Sequence, residues 1–152
     1  MSATPKQSWW KRFVKAATGA KSLENESDIL IDGHDYDGIK ELDTASSYGD
    51  SEKVIGDYLN HYPKNRFIIT TKISDINVSL EKQVNNSLEN LKIEKIDKLL
   101  FHSYDVYIHF IKEVKVFSQK FKGVLFDELG VSIYTNYEIE NLIYDPFINR
   151  IQ

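Results

Sequence analysis

The 152-residue sequence contains no cysteine, which removes disulfide frameworks, thiolate metal sites and cysteine nucleophiles together and fits a reducing compartment. It has three prolines and seven dispersed glycines. Collagen-like, mucin-like and linker compositions are therefore excluded, and no glycine-rich loop is present to cradle a phosphate. No stretch approaches the roughly 20 apolar residues of a membrane-spanning helix, and the N-terminus lacks the apolar core of a signal peptide. A cytoplasmic location is the expectation. Neither sign of charge dominates: nineteen Lys plus Arg against twenty-three Asp plus Glu leave −4, which argues against nucleic acid as a partner of the whole surface. What is there is 41% hydrophobic and 12% aromatic, enough for one real core at a length where a single domain is expected.

From about residue 38 short β-branched runs alternate with stretches of helical period, the pattern of βα units on a parallel sheet. The runs are GIKELDTA, RFIITTKI, KIDKLLFHS, ELGVSIY and FINRIQ. Counted from Ile39, Phe67, Ile96 and Leu129 they recur at 28, 29 and 33 residues, close to the ~30 residues of one βαβ unit. Between them, Val54, Ile55, Tyr58, Leu59 and Tyr62 share one helical face before Pro63, and Leu80, Val84, Leu88 and Leu91 form a second stripe opening at Ser79. Val106, Phe110, Val114, Phe117 and Phe121 make a third, closed by Gly123. Thr135 and Glu138 form a capping box ahead of Ile139, Leu142 and Ile143, with Pro146 beyond. A weaker helix is expected over 26–36, although Gly33 costs it about 1 kcal/mol of propensity.

Residues 1–22 differ in kind from the domain expected over 23–152. Lys6, Lys11, Arg12, Lys15 and Lys21 precede the first acid, Glu24, and Trp9, Trp10, Phe13, Val14 and Ala17 can share a helical face. Such a cationic aromatic segment suits a membrane surface or a partner, or else packs its Trp pair on the body of its own domain.

In parallel (βα) sheets chemistry gathers where the strands end and the βα loops begin. The polar residues at those ends are Asp43, Tyr48, Lys72, His102 and Ser132. The first four can converge on one mouth as an acid, a phenol, an amine and an imidazole suited to giving a proton to a carbonyl oxygen. A Lys72 cation near Tyr48 would favour phenolate and lower the phenol's pKa, Asp43 would keep the lysine charged, and a neutral His102 would polarise the carbonyl. Singly, each has a plainer reading: Asp43 a loop or helix cap, Tyr48 before Gly49 a turn aromatic, His102 a satisfied core or rim residue.

Four blocks, LDTASSYGDSEKVIG, FIITTK, KIDKLLFHS and GVSIY, resemble in order and spacing the signature blocks of the aldo-keto reductase family, an NADP-dependent oxidoreductase domain. The resemblance implies that Asp43, Tyr48, Lys72 and His102 form a catalytic tetrad, with Tyr48 as the proton donor while a small carbonyl substrate takes hydride from NADPH or, alternatively, NADH. It implies no metal. It also implies that Ser132 and Gln152 contact the nicotinamide carboxamide, and Ile133 stands where the family commonly has Asn.

The resemblance runs from residue 24 to 152. The family's seventh and eighth strands have no counterpart in these residues, and its first finds only Thr18-Gly19 as an echo. The expected fold is therefore α/β, a parallel (βα) repeat forming a truncated TIM barrel, an open half-barrel of about five to six βα units. Such a chain is expected to be weakly active or inactive alone, and its unpaired edges predict self-association or a complementing C-terminal half. A noncatalytic interaction module, or a gene fragment, is the alternative.

Overall fold

The computed structural model describes residues 40–61 and 67–152. The cationic segment 1–22, Thr18-Gly19, the helix expected over 26–36 and Tyr62 with Pro63 lie outside the described residues.

Among the described residues five strands form a single sheet: β1 (Glu41–Asp43), β2 (Ile68–Ile73), β3 (Ile96–Phe101), β4 (Phe126–Val131) and β5 (Arg150–Ile151). All neighbours are parallel and the spatial order is the chain order. A parallel neighbour cannot be reached by a tight hairpin, so each connection must cross the sheet, and a helix makes the crossing in each. These are α1 (Ser51–His61), α2 (Leu80–Leu91), α3 (Tyr104–Phe121) and α4 (Asn136–Leu142). The result is an open half-barrel with helices on its convex face. No described helix is long and apolar enough to cross a membrane.

The helices start where the sequence offers a side-chain acceptor for the first free backbone N–H groups. Ser79 accepts from the Lys82 amide, Ser103 from Val106, and Thr135 forms the expected capping box with Glu138. Beneath them Ile73, Val84, Leu99, Phe101, Phe110, Val114, Phe126, Leu129 and Val131 build the larger core, and Leu42, Ile55, Leu59, Ile69 and Leu91 a smaller one under α1.

Three details depart from expectation. The buried stripe of α1 is turned toward Ser51, Glu52 and Gly56, with Ile55 and Leu59 at its centre, because α1 packs on α2 as well as on the sheet. Gly56 is the contact: a Cβ there would lie 2.1 Å from the Asn90 carbonyl oxygen. In α4 only Leu142 is buried, while Ile139 and Ile143 face solvent, since seven residues offer barely two turns to the sheet. The fourth strand also begins earlier than ELGVSIY suggests, at Phe126, and ends at Val131, where the chain turns toward the α4 cap.

Candidate active site

Side chains alternate across a strand, so Asp43 on β1 and Lys72 on β2 turn to the concave face while Leu42, Thr71 and Ile73 turn to the helices. The loop after β1 is closely tied. The amide of Ser46 donates to the Lys72 carbonyl at 3.3 Å, the Tyr48 amide to Ala45 O at 3.0 Å and the Ser51 amide to Tyr48 O at 3.2 Å. The hydroxyls of Thr44 and Ser51, both fully buried, share a hydrogen bond of 2.5 Å across its base. Gly49 takes φ +59°, a conformation that costs L-residues energy, so it completes the turn that holds Tyr48 at the tip. The turn-aromatic reading and the functional reading of Tyr48 thus describe the same geometry.

Lys72 is almost fully buried. Its ammonium donates to Asp43 Oδ1 and, at 3.2 Å, to the Thr44 carbonyl, and it lies 5.6 Å from the centroid of the Tyr48 ring. His102, just past β3, is fixed by its amide to the Ile73 carbonyl at 2.8 Å. Its ring meets the Tyr48 ring edge-on, 5.8 Å between centroids at 87°. Its Nε2 is buried and has no hydrogen-bond partner, which sets it apart from other buried side-chain polar atoms among the described residues. Buried polar atoms are nearly always satisfied, so an exception calls for an explanation.

All six residues singled out from the sequence lie at the mouth. Asp43, Tyr48, Lys72 and His102 come together, and Gln152 joins them from the far edge, its Nε2 donating to Asp43 Oδ2 at 2.6 Å. Ser132 lies at the same level, with its amide bonded to Phe101 O at 2.9 Å, but its hydroxyl bonds none of the other five.

One electrostatic expectation is overturned. The Tyr48 phenol is pushed above the ordinary range, first by burial, then by the negative charge of Asp43 and by Tyr134. The cation expected to lower it is committed to Asp43, and faces the ring rather than standing alone beside the hydroxyl. Tyr134 has no role in the sequence reading, nor has Glu52. The latter is buried in the first turn of α1, where it accepts from Thr71 Oγ1 at 2.6 Å and Asn90 Nδ2 at 3.2 Å, anchoring the helix that follows the Tyr48 loop. An acid in a first helical turn ordinarily reads as solvent-facing dipole compensation, so nothing in the sequence marked it.

Below the mouth the concave face carries paired charges: Lys98 with Glu41 at 2.8 Å and Arg150 with Glu128 at 2.5 Å. Among the described residues no group of three or more His, Asp or Glu is placed to hold a metal ion.

Residues 30–147 match the model of the aldo/keto reductase family. Among solved structures the chain is similar to an aldo/keto reductase from Klebsiella pneumoniae in complex with NADP and acetate, at 19% identity and TM-score 0.58, covering 76% of this chain and 43% of that one. It is similar to MGS-M4, an aldo-keto reductase enzyme from a Medee basin deep-sea metagenome library, at 26% identity and TM-score 0.56, covering 72% and 42%. It is also similar to an aldose reductase from Giardia lamblia, at 17% identity and TM-score 0.60, covering 76% and 49%. The matched part is thus less than half of each of those chains. No curated protein matches significantly by sequence.

Proposed function

The chain belongs to the aldo/keto reductase family, and on that premise we propose that its mouth carries the proton-donating side of an NAD(P)H-dependent reduction of an aldehyde or ketone. Tyr48 is the general acid, Lys72 and Asp43 hold the charge beneath it, and His102 orients the carbonyl. The observation that carries this reading is the buried, partnerless Nε2 of His102 beside the Tyr48 ring. A carbonyl oxygen accepting from Nε2 would satisfy it, and Tyr48, whose ring lies beside that of His102, is the neighbouring phenol that can give the oxygen a proton.

The raised phenol pKa suits a donor at rest, because it keeps the proton on Tyr48 through neutral and mildly alkaline pH. When that proton leaves for the carbonyl oxygen, the Lys72 ammonium, 5.6 Å from the centroid of the ring, offsets part of the cost that burial and Asp43 place on the phenolate. Asp43 pairs with the buried ammonium and holds it in place.

The cofactor side is supported by donor chemistry. Ser132, nearly buried, and Gln152 at the same end of the strands can each donate and accept, as a nicotinamide carboxamide demands. A nicotinamide, when bound, supplies the hydride.

Tyr48→Phe tests the reading. In the chain, or in its complex with a complementing C-terminal half, reductase turnover should fall by about 10² to 10⁴, the usual worth of a general acid, while cofactor affinity measured by quenching of reduced-cofactor fluorescence stays the same. A variant that turns over like the parent would assign the proton elsewhere.

A further inference from the structure

Resting on that reading, we propose that Gln152 is a positioning residue of the site: from the opposite edge of the sheet it fixes the Asp43 carboxylate and, through it, the Lys72 ammonium. The two residues are 109 apart in sequence: Asp43 ends the first strand of the five and Gln152 directly follows the last. Four strand intervals of about 4.8 Å would put those strands roughly 19 Å apart along a flat sheet, far beyond the reach of one carboxamide. The contact is a chord across the curl, and it exists only because the sheet bends into a barrel arc.

Asp43 gives both oxygens to defined donors, Oδ1 to Lys72 and Oδ2 to Gln152. Among the described residues β1 has one neighbouring strand, and the donor to Oδ2 comes from across the hollow. Gln152 is well placed to supply it. Its amide donates to the Val131 carbonyl at 3.1 Å, and its own carbonyl accepts from the Ile133 amide at 2.9 Å, so the backbone is held on both sides. The close docking of β5 depends on Gly130, where a Cβ would lie 2.5 Å from the Arg150 carbonyl oxygen. The chemistry also selects the residue type. A neutral donor fixes the carboxylate without competing for it, whereas a cation at 152 would draw Asp43 off Lys72 and an anion would repel it.

The test uses the full chain labelled with [¹⁵N]glutamine, whose four glutamines give a simple side-chain spectrum. The resonance lost in Gln152→Met should move in Asp43→Asn and stay in place in Tyr48→Phe. In turnover, Gln152→Met should lower kcat about tenfold to a hundredfold, the scale of a misplaced catalytic group. The same change in an Asp43→Asn background should lower kcat less than it does in the parent, because only the contact with the cofactor carboxamide is then left to lose. A Gln152 resonance blind to Asp43→Asn, or an equal kcat loss in both backgrounds, overturns the proposal. Full turnover in Tyr48→Phe would sink the catalytic reading instead, and the spectra would still decide whether Gln152 holds Asp43.

Discussion

Along β3 and β4, Leu99, Phe101, Leu129 and Val131 are buried beneath the helices, while one residue away on the same strands Lys98 and Glu128 face the hollow of the arc. The convex face is apolar and closely packed. The concave face is polar except for the buried Leu100, and its polar groups divide into two levels. At the lower level Glu128 with Arg150 and Glu41 with Lys98 are matched pairs, the first reached by water on both sides and the second through Glu41. At the upper level Lys72 is buried and depends on Asp43, and His102 Nε2 is buried with no partner. Polarity that is satisfied and wet holds shape, whereas polarity that is buried and incompletely satisfied is poised to bind something.

The largest effect expected of that contrast lies on the convex side. Phe101 is fully buried and sits edge-on to Tyr107 and tilted against Phe110, with ring centroids 5.7 and 6.4 Å away. Phe101→Ala should cost about 3–5 kcal/mol, read as a shift of the urea midpoint at unchanged slope. A loss near 1 kcal/mol would mean that the face is not packed as described.

Next comes the division within the concave face. Asp43→Asn leaves the buried Lys72 ammonium without a counter-charge and should cost about 3 kcal/mol, near the lower end for an orphaned buried charge because Asp43 itself reaches water. Glu41→Gln breaks the pair with Lys98 at the lower level, where Glu41 is 55% exposed, and should cost under about 1 kcal/mol. Equal losses in the two variants would erase the distinction between the levels.

The convex face was the more legible in sequence. Apolar runs and helical stripes located all five strands and the four described helices, and Ser79 and Thr135 with Glu138 marked two starts. These signals are local, because burial on one face imposes its own period. Of the mouth, the strand-end positions of Asp43, Lys72, His102 and Ser132 were readable, since a βα repeat dictates where its strands stop. What escaped depends on the curl and on neighbours distant in sequence. The bond from Gln152 to Asp43, the anchoring of Glu52 by Thr71 and Asn90, and the upward shift of Tyr48 are set by distances that no spacing encodes. Gly56 and Gly130 likewise matter for which backbone approaches them.

The smallest expected effect is a pH dependence confined to the lower level. Glu128 is held below the usual carboxylate range, first by its hydrogen bond from Arg150 and further by the charges of Arg150, Lys98 and Lys122, against an opposing push from burial. A carboxyl whose folded pKa is depressed contributes stability that is fully present above its unfolded value, about 4.3, and is lost as pH falls through the lowered folded value. Stability should therefore begin to drop below about pH 4 with a share assignable to Glu128, and Glu128→Gln should remove that share. The side chains of Glu128 and Arg150 are 35% and 40% exposed, so water and salt screen the pair and the share should be a few tenths of a kcal/mol, shrinking in high salt. Because the pair tethers β5, which carries Gln152 to Asp43, the Gln152 side-chain resonance should shift over the same acid window in the parent and less in Glu128→Gln. An acid transition identical in the two proteins would show that Gly130 and the backbone ladder alone keep the last strand in place.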